Sequence, residues 1–267
     1  MEFDFDQITV PFRMQPGLRR LAEGAPQLTR LDPASALYRE KFKVLDASCS
    51  RHCVPGFDPA PALDAIHHKA YADGIVDALR TELPLELAFE EDLAILDGDS
   101  TTLPWLCICV PSQWAPEDKL GLPFAAVHAP VADNALLQGA GDTLVQLVTG
   151  GQCWDRFVWT LTPSPRYDQH PVRHPRQPWP DTADPEAFVA QCFLRAERQT
   201  FFPVGRSTRQ AVFTIRVMLR PLREAVTTPA QAQRLHDSLA SMSDAVLAYK
   251  GLAAARAPLV RWLRGWG

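Results

Sequence analysis

The sequence predicts an α+β fold, from a change of hydrophobic period along the chain. Apolar residues recur at helical spacing up to about residue 84, alternate with polar ones from about residue 85 to 219, and return to helical spacing from Thr228 to Leu263. At 267 residues and 46% hydrophobic content the chain is long enough to bury a substantial core.

The first helix is expected in SALYREKFKVLDA, residues 35–47. The second is expected in PALDAIHHKAYADGIVDALRTEL, residues 61–83, opened by Asp58 and Pro59. Between them lies an acidic, turn-rich loop that holds CSRHC.

Strands are expected over 85–96, 103–110, 153–162, 191–202 and 209–219, the first two joined as a hairpin by DGDSTT. A crossing helix precedes the third strand. There NALLQGAGDTLVQLVTGG places Leu136, Leu137, Leu144, Leu147 and Val148 at mostly helical spacing before a Gly-Gly stop. Residues 163–186 carry seven prolines, from Pro163 to Pro185, and so form a long irregular surface excursion. The final helix has Thr228 as cap and Pro229 in its first turn. These elements divide the chain into an N-terminal helical segment (1–84), a sheet-bearing core (85–222) and a C-terminal helix (223–267).

A net charge of −4 argues against nucleic acid, whose phosphates are gripped by a basic face. No stretch reaches the roughly 18 apolar residues of a membrane span. The acidic start MEFDFDQITV is unlike a signal peptide, so a cytoplasmic location is expected. Six cysteines in a chain of this length read as reduced thiols rather than a disulfide scaffold.

Some residues do not suit their surroundings. In FAAVHAPV, His128 ends an apolar run, and a buried imidazole needs partners for both nitrogens. Either it is a satisfied core residue or something uses its lone pair. In LELAFEEDLAIL, alternation puts Glu91 on the face of Leu85, Leu87, Phe89, Leu93 and Ile95. An inward carboxylate must pair with a cation, accept hydrogen bonds, or stay protonated with a raised pKa of the kind catalysis uses. Arg198 is the only charge on its face of CFLRAERQTFF, and could meet Glu91 or an anionic ligand. On the opposite face Arg195 and Glu197 are expected to be solvated.

CSRHC and HPVRH group histidines with cysteines or with each other, but the first lacks paired ligand spacing and prolines bracket the second, so loops are favoured over metal sites. Cys107 and Cys109 read as small core side chains. Trp154 and Trp159 fall on opposite faces of one strand. No GxSxG, Walker loop or GxGxxG is present.

FEEDLAIL, CVPSQWAPEDKLG, AAVHAPV, LRAERQTFF and AVFTIRV, in this order, resemble the haem-dependent oxidative N-demethylase alpha-subunit family, over about Pro16 to Leu222. The resemblance implies a PAS-like antiparallel sheet flanked by helices, with N- and C-terminal helical extensions and a haem b pocket. It implies His128 as the iron's axial ligand, Arg198, Arg195 and Arg156 as propionate anchors, and Glu91 with Arg198 at the catalytic face. It further implies oxidative N-demethylation of a secondary or other methylated amine with O2, releasing formaldehyde. Electrons would come from a separate reductase using NAD(P)H, since no flavin or iron–sulfur motif is present. Two other readings remain open: a PAS-like haem or small-ligand sensor, and a haem-free interaction protein in which His128, Glu91 and Arg198 form a structural network. LVRWLRGWG could serve such an interface.

Overall fold

The computed structural model describes residues 3–75, 83–135, 139–205 and 208–266. The end of the helix expected over 61–83, and Leu136 and Leu137, fall outside them. An antiparallel sheet runs through the molecule in the order β1-β5-β6-β7-β3-β4-β2, with helices on both faces. Its strands are β1 (Arg19–Arg20), β2 (Arg51–Cys53), β3 (Glu91–Asp97), β4 (Trp105–Cys107), β5 (Trp154–Thr162), β6 (Phe193–Pro203) and β7 (Gln210–Pro221). The α+β class is therefore as the period change predicts.

Helix α1 (Ala36–Asp46) starts where Ser35 accepts a hydrogen bond from the Tyr38 N–H, a side-chain cap that satisfies one of the helix's free donors. Its Lys41 is completely buried. The ammonium donates to the carbonyls of Phe89 and Glu91 at 3.1 and 2.8 Å and pairs with Asp92 at 3.1 Å, pinning α1 to the start of β3. Helix α2 (Ala60–Ala72) buries Ala62, Ile66 and Ala70 against Leu93, Ile95, Trp105 and Phe202.

Five expectations need correction. Residues 85–88 form the short helix α3 (Leu85–Ala88), not strand. Glu86 explains the choice: its carboxylate takes the Ser50 hydroxyl and a two-pronged Arg51 guanidinium, all at 2.7 Å, and this fixes the turn before β3. Burial alone would raise the Glu86 pKa, but these donors bring it down to about 2.

CSRHC is not simply a loop, because Arg51–Cys53 pairs with β4 as an edge strand. With β1 at the opposite edge, the N-terminal segment is strand as well as helix. After the short helices α6 (Pro185–Val189) and α7 (Leu222–Ala225), the C-terminal helix is three: α8 (Pro229–Ala240), α9 (Asp244–Lys250) and α10 (Arg256–Arg264). Ser243 caps α9, and Gly251 ends it at φ 67°, a left-handed conformation in which an added Cβ would strike the Arg176 guanidinium. All three helices contribute to one core with Trp159, Leu161, Leu194 and Ala196.

Finally, Arg195 and Glu197 are buried, at 1% and 9% exposure. Both faces of this sheet carry helices or loops, so alternation separates the faces without telling which is wet. The thiols of Cys107 and Cys109 are buried, and burial pushes both of their pKa values upward.

Candidate functional site

Directly opposed residues of an antiparallel pair project to the same side, so the strand register sorts the candidate residues. One row reads Phe157, Arg198, Arg216, Glu91 across β5, β6, β7 and β3. The neighbouring row on the opposite face reads Arg156, Gln199, Ile215, Asp92. Glu197 belongs to the second face, opposed to Val158 and Val217.

Glu91 and Arg198 thus share a face, but Arg216 of β7 stands between them, and two strand spacings separate them by about 10 Å. Arg216 bonds Glu90 at 2.6 Å. Arg198 donates to the Pro26 carbonyl at 3.1 Å and lies 3.7 Å from Asp155. The Glu91 carboxylate accepts the Thr29 N–H at 2.9 Å, and burial pushes its pKa up to about 7.

A carboxyl that holds its proton to about pH 7 when folded and to 4.5 otherwise binds more protons in the native state across that window. Stability therefore falls as pH rises through it, by on the order of 3 kcal/mol. Relative to wild type, Glu91→Gln should gain this amount between pH 4.5 and pH 8 in urea unfolding. A difference that does not vary with pH would mean that Arg216 keeps Glu91 charged throughout.

His128 ends α4 (Phe124–His128) on the other face. Pro123 precedes the helix in extended conformation, and Phe124 packs with Leu96, Phe201 and Phe213 beside α5 (Gly141–Val148). The imidazole lies against the Phe124 ring at 4.1 Å between centroids, and its Nδ1 meets the Phe124 carbonyl at 2.8 Å. That acceptor makes Nδ1 the protonated nitrogen and leaves the lone pair on Nε2. Among the described residues Nε2 has no hydrogen-bond partner. Burial first, then the cations Arg156 and Lys119, hold His128 below its ordinary pKa, while the Phe124 bond works the other way.

Arg156 shares this face with Glu197, and its charge acts on both His128 and Glu197. Its Nε is buried without a hydrogen-bond partner, and the guanidinium makes no ion pair among the described residues. Arg195 differs: its three nitrogens donate to Ser112 Oγ at 2.7 Å, to the Arg166 and Tyr167 carbonyls at 3.3 and 2.8 Å, and to the Val110 carbonyl at 2.9 Å. The Glu197 carboxylate is aimed by Ser112, whose hydroxyl donates to Oε1, and by Gln199 Nε2 at 2.7 Å on Oε2.

Lys250 reaches β5 from the end of α9. Its ammonium donates to the Trp159 carbonyl at 2.7 Å beside the Phe12 and Trp159 rings, near Glu197 and Arg156. Burial lowers its pKa to about 8. The structure thus brings His128, Arg156 and Glu197 into one neighbourhood and leaves Glu91 and Arg198 on the other side of the sheet. Sequence reasoning singles out neither Glu197 nor Lys250 as a site residue. For Glu197 a signal exists, a carboxylate alternating onto the Val158 side, but nothing in the strand itself tells that face from one open to solvent.

HPVRH closes on itself and its neighbours: His170 contacts Glu117 at 3.0 Å, and Asp168 binds Arg173 at 2.8 Å and lies 3.4 Å from His174. Among the described residues no cluster of three or more His, Cys, Asp or Glu side chains is arranged to hold a metal ion, and no helix is long and apolar enough to cross a membrane.

Residues 75–260 match the protein family described as haem-dependent oxidative N-demethylase, alpha subunit-like. The match begins at the end of the N-terminal helical segment and runs into the last of the C-terminal helices, beyond the Leu222 at which the sequence resemblance stops.

Proposed function

Because the chain belongs to the haem-dependent oxidative N-demethylase alpha-subunit-like family, we propose that it is the haem-binding subunit of a monooxygenase that removes a methyl group from a secondary or otherwise methylated amine. The observation that carries this reading is His128, whose Nδ1 is fixed by the Phe124 carbonyl while Nε2 stays unpartnered among the described residues. An axial imidazole has this arrangement, its second nitrogen bonded to a fixed acceptor that orients the ring.

The donor set suits a haem. It offers one neutral imidazole, with a guanidinium nearby whose buried Nε lacks a partner and which would take a propionate. Of the three arginines considered as anchors, Arg195 has its donors committed to protein acceptors and Arg198 faces away, so the role falls to Arg156. When bound, the haem supplies activation of O2 for oxidation of an N-methyl C–H bond.

The chain's own residues prepare the amine. A secondary amine is protonated at neutral pH, and Glu197, held by Ser112 and Gln199, would hold that cation and accept its proton. In this reading Glu197 takes the role that the resemblance implies for Glu91. The overall balance is one methylated amine, one O2, two electrons and two protons in, and one demethylated amine, one formaldehyde and one water out. The electrons come from a separate NAD(P)H-using reductase, in keeping with an alpha subunit that works beside others. A PAS-like core and a cytoplasmic location complete the proposal, the first supported by the antiparallel sheet with helices on both faces.

The test is to express the protein with haem precursor, record its absorption before and after dithionite, and assay formaldehyde from a panel of methylated amines. A stoichiometric Soret band that shifts on reduction, with amine-dependent formaldehyde, is expected. A protein that stays colourless after reconstitution refutes the reading.

A further inference from the structure

The outward face of α1 presents an aromatic and basic surface that the fold does not use. Phe42 is 49% exposed and stacks on Tyr38 at 6.4 Å between ring centroids. Around the pair stand Arg39, Lys43 and, from the proline-rich excursion, Arg166, which together line one shallow groove. Among the described residues none of these three cations has an acidic ion-pair partner. The groove's one carboxylate, Glu40, is occupied: its oxygens accept the Tyr167 and Asp168 N–H groups at 3.2 and 2.8 Å. A positive patch on a chain of net charge −4 is a local feature against the overall sign.

The patch also joins the candidate site through buried bonds. The carbonyls of Arg166 and Tyr167 hold Arg195, Arg195 holds Ser112, and Ser112 holds Glu197. A protein seated on Arg166 would thus touch the outer end of the network that positions Glu197.

We propose that this face of α1, with Arg166, is the docking surface for an acidic one-electron-donor protein. The inference rests on the proposed function, which consumes two electrons per turnover. Each docking event oxidises the donor by one electron and delivers that electron to this subunit, and two events supply one turnover. Arginine and exposed aromatic side chains are favoured anchors at protein interfaces, and opposite surface charge speeds and orients such encounters.

The test uses a small acidic [2Fe–2S] ferredoxin as the probe, with its binding to the haem-loaded protein followed by calorimetry. Wild type should bind at low ionic strength and weaken as salt rises, because exposed charges are screened. The combined Arg39→Glu, Lys43→Glu and Arg166→Glu variant should bind at least about tenfold more weakly, and Phe42→Ala should weaken binding without changing the salt dependence. Soret absorbance and dithionite reduction should stay as in wild type in both. Reversal of the exposed Arg261 and Arg264 on α10 is the control and should leave binding unchanged. Equal affinity in the α1 variants, equal loss in the control, or no binding by wild type at low salt overturns the proposal. A wild type without a Soret band instead overturns the functional reading, on a readout independent of the binding arm.

Discussion

His128→Ala is expected to abolish haem retention and to leave a folded protein. The two halves of this result have separate causes. Within the chain the imidazole makes one hydrogen bond, to a carbonyl of its own short helix, and one ring contact with Phe124. Losing them costs about 1 to 2 kcal/mol, and for a chain of this size that lowers the Tm by only a few degrees. On the proposed reading the haem, by contrast, loses its axial donor. The Soret band of the reconstituted variant should disappear while the far-ultraviolet circular dichroism persists, and added imidazole should restore part of the band by filling the vacated position.

The pH dependence has a definite sign. Only the neutral imidazole donates a lone pair, and burial with the nearby Arg156 and Lys119 holds His128 below its usual pKa of 6.5. Haem retention should therefore survive acidification past pH 6.5. An unchanged Soret band in His128→Ala would remove this residue as the ligand.

Glu197→Gln should retain haem and lose amine turnover, by about 10² to 10⁴ in kcat/KM. The amide is the same size and its oxygen still accepts a hydrogen bond from Ser112, while Gln199 must turn its own amide over to accept from the new NH2; the negative charge that would hold an ammonium is gone. Measuring kcat and KM separately locates the loss: a rise in KM alone means that the carboxylate only binds the cation, whereas a fall in kcat means that it also takes the proton. Glu91→Gln is the companion measurement. Glu91 lies on the far face of the sheet behind Arg216, so its substitution should shift stability with pH and leave turnover near wild type. Normal turnover in Glu197→Gln with loss in Glu91→Gln would reverse the assignment.

The family was legible without coordinates because its signals are local strings in order, such as PSQWAPEDKLG followed by VHAPV. The same holds for the α+β class, the Thr228 cap and the last three long strands, since period and capping chemistry depend on neighbours a few residues apart. His128 could be singled out because an imidazole ending an apolar run is conspicuous in one dimension. The opposite placement of Trp154 and Trp159 follows from period two alone.

Tertiary structure decided the rest. Alternation assigns Glu91 and Glu197 to faces of their own strands, but only the order β5-β6-β7-β3 shows that these faces are opposite sides of one sheet. The same order puts Arg216 between Glu91 and Arg198. Burial of Arg195 and Glu197 comes from segments distant in sequence, Val110 to Ser112 and the excursion at Arg166 and Tyr167, that cover a face strand periodicity leaves unassigned. Sequence determined on which side of each strand its residues sit; the pairing of strands far apart in the chain decided which of them lie together, because contact between such residues is not encoded in the spacing of either one.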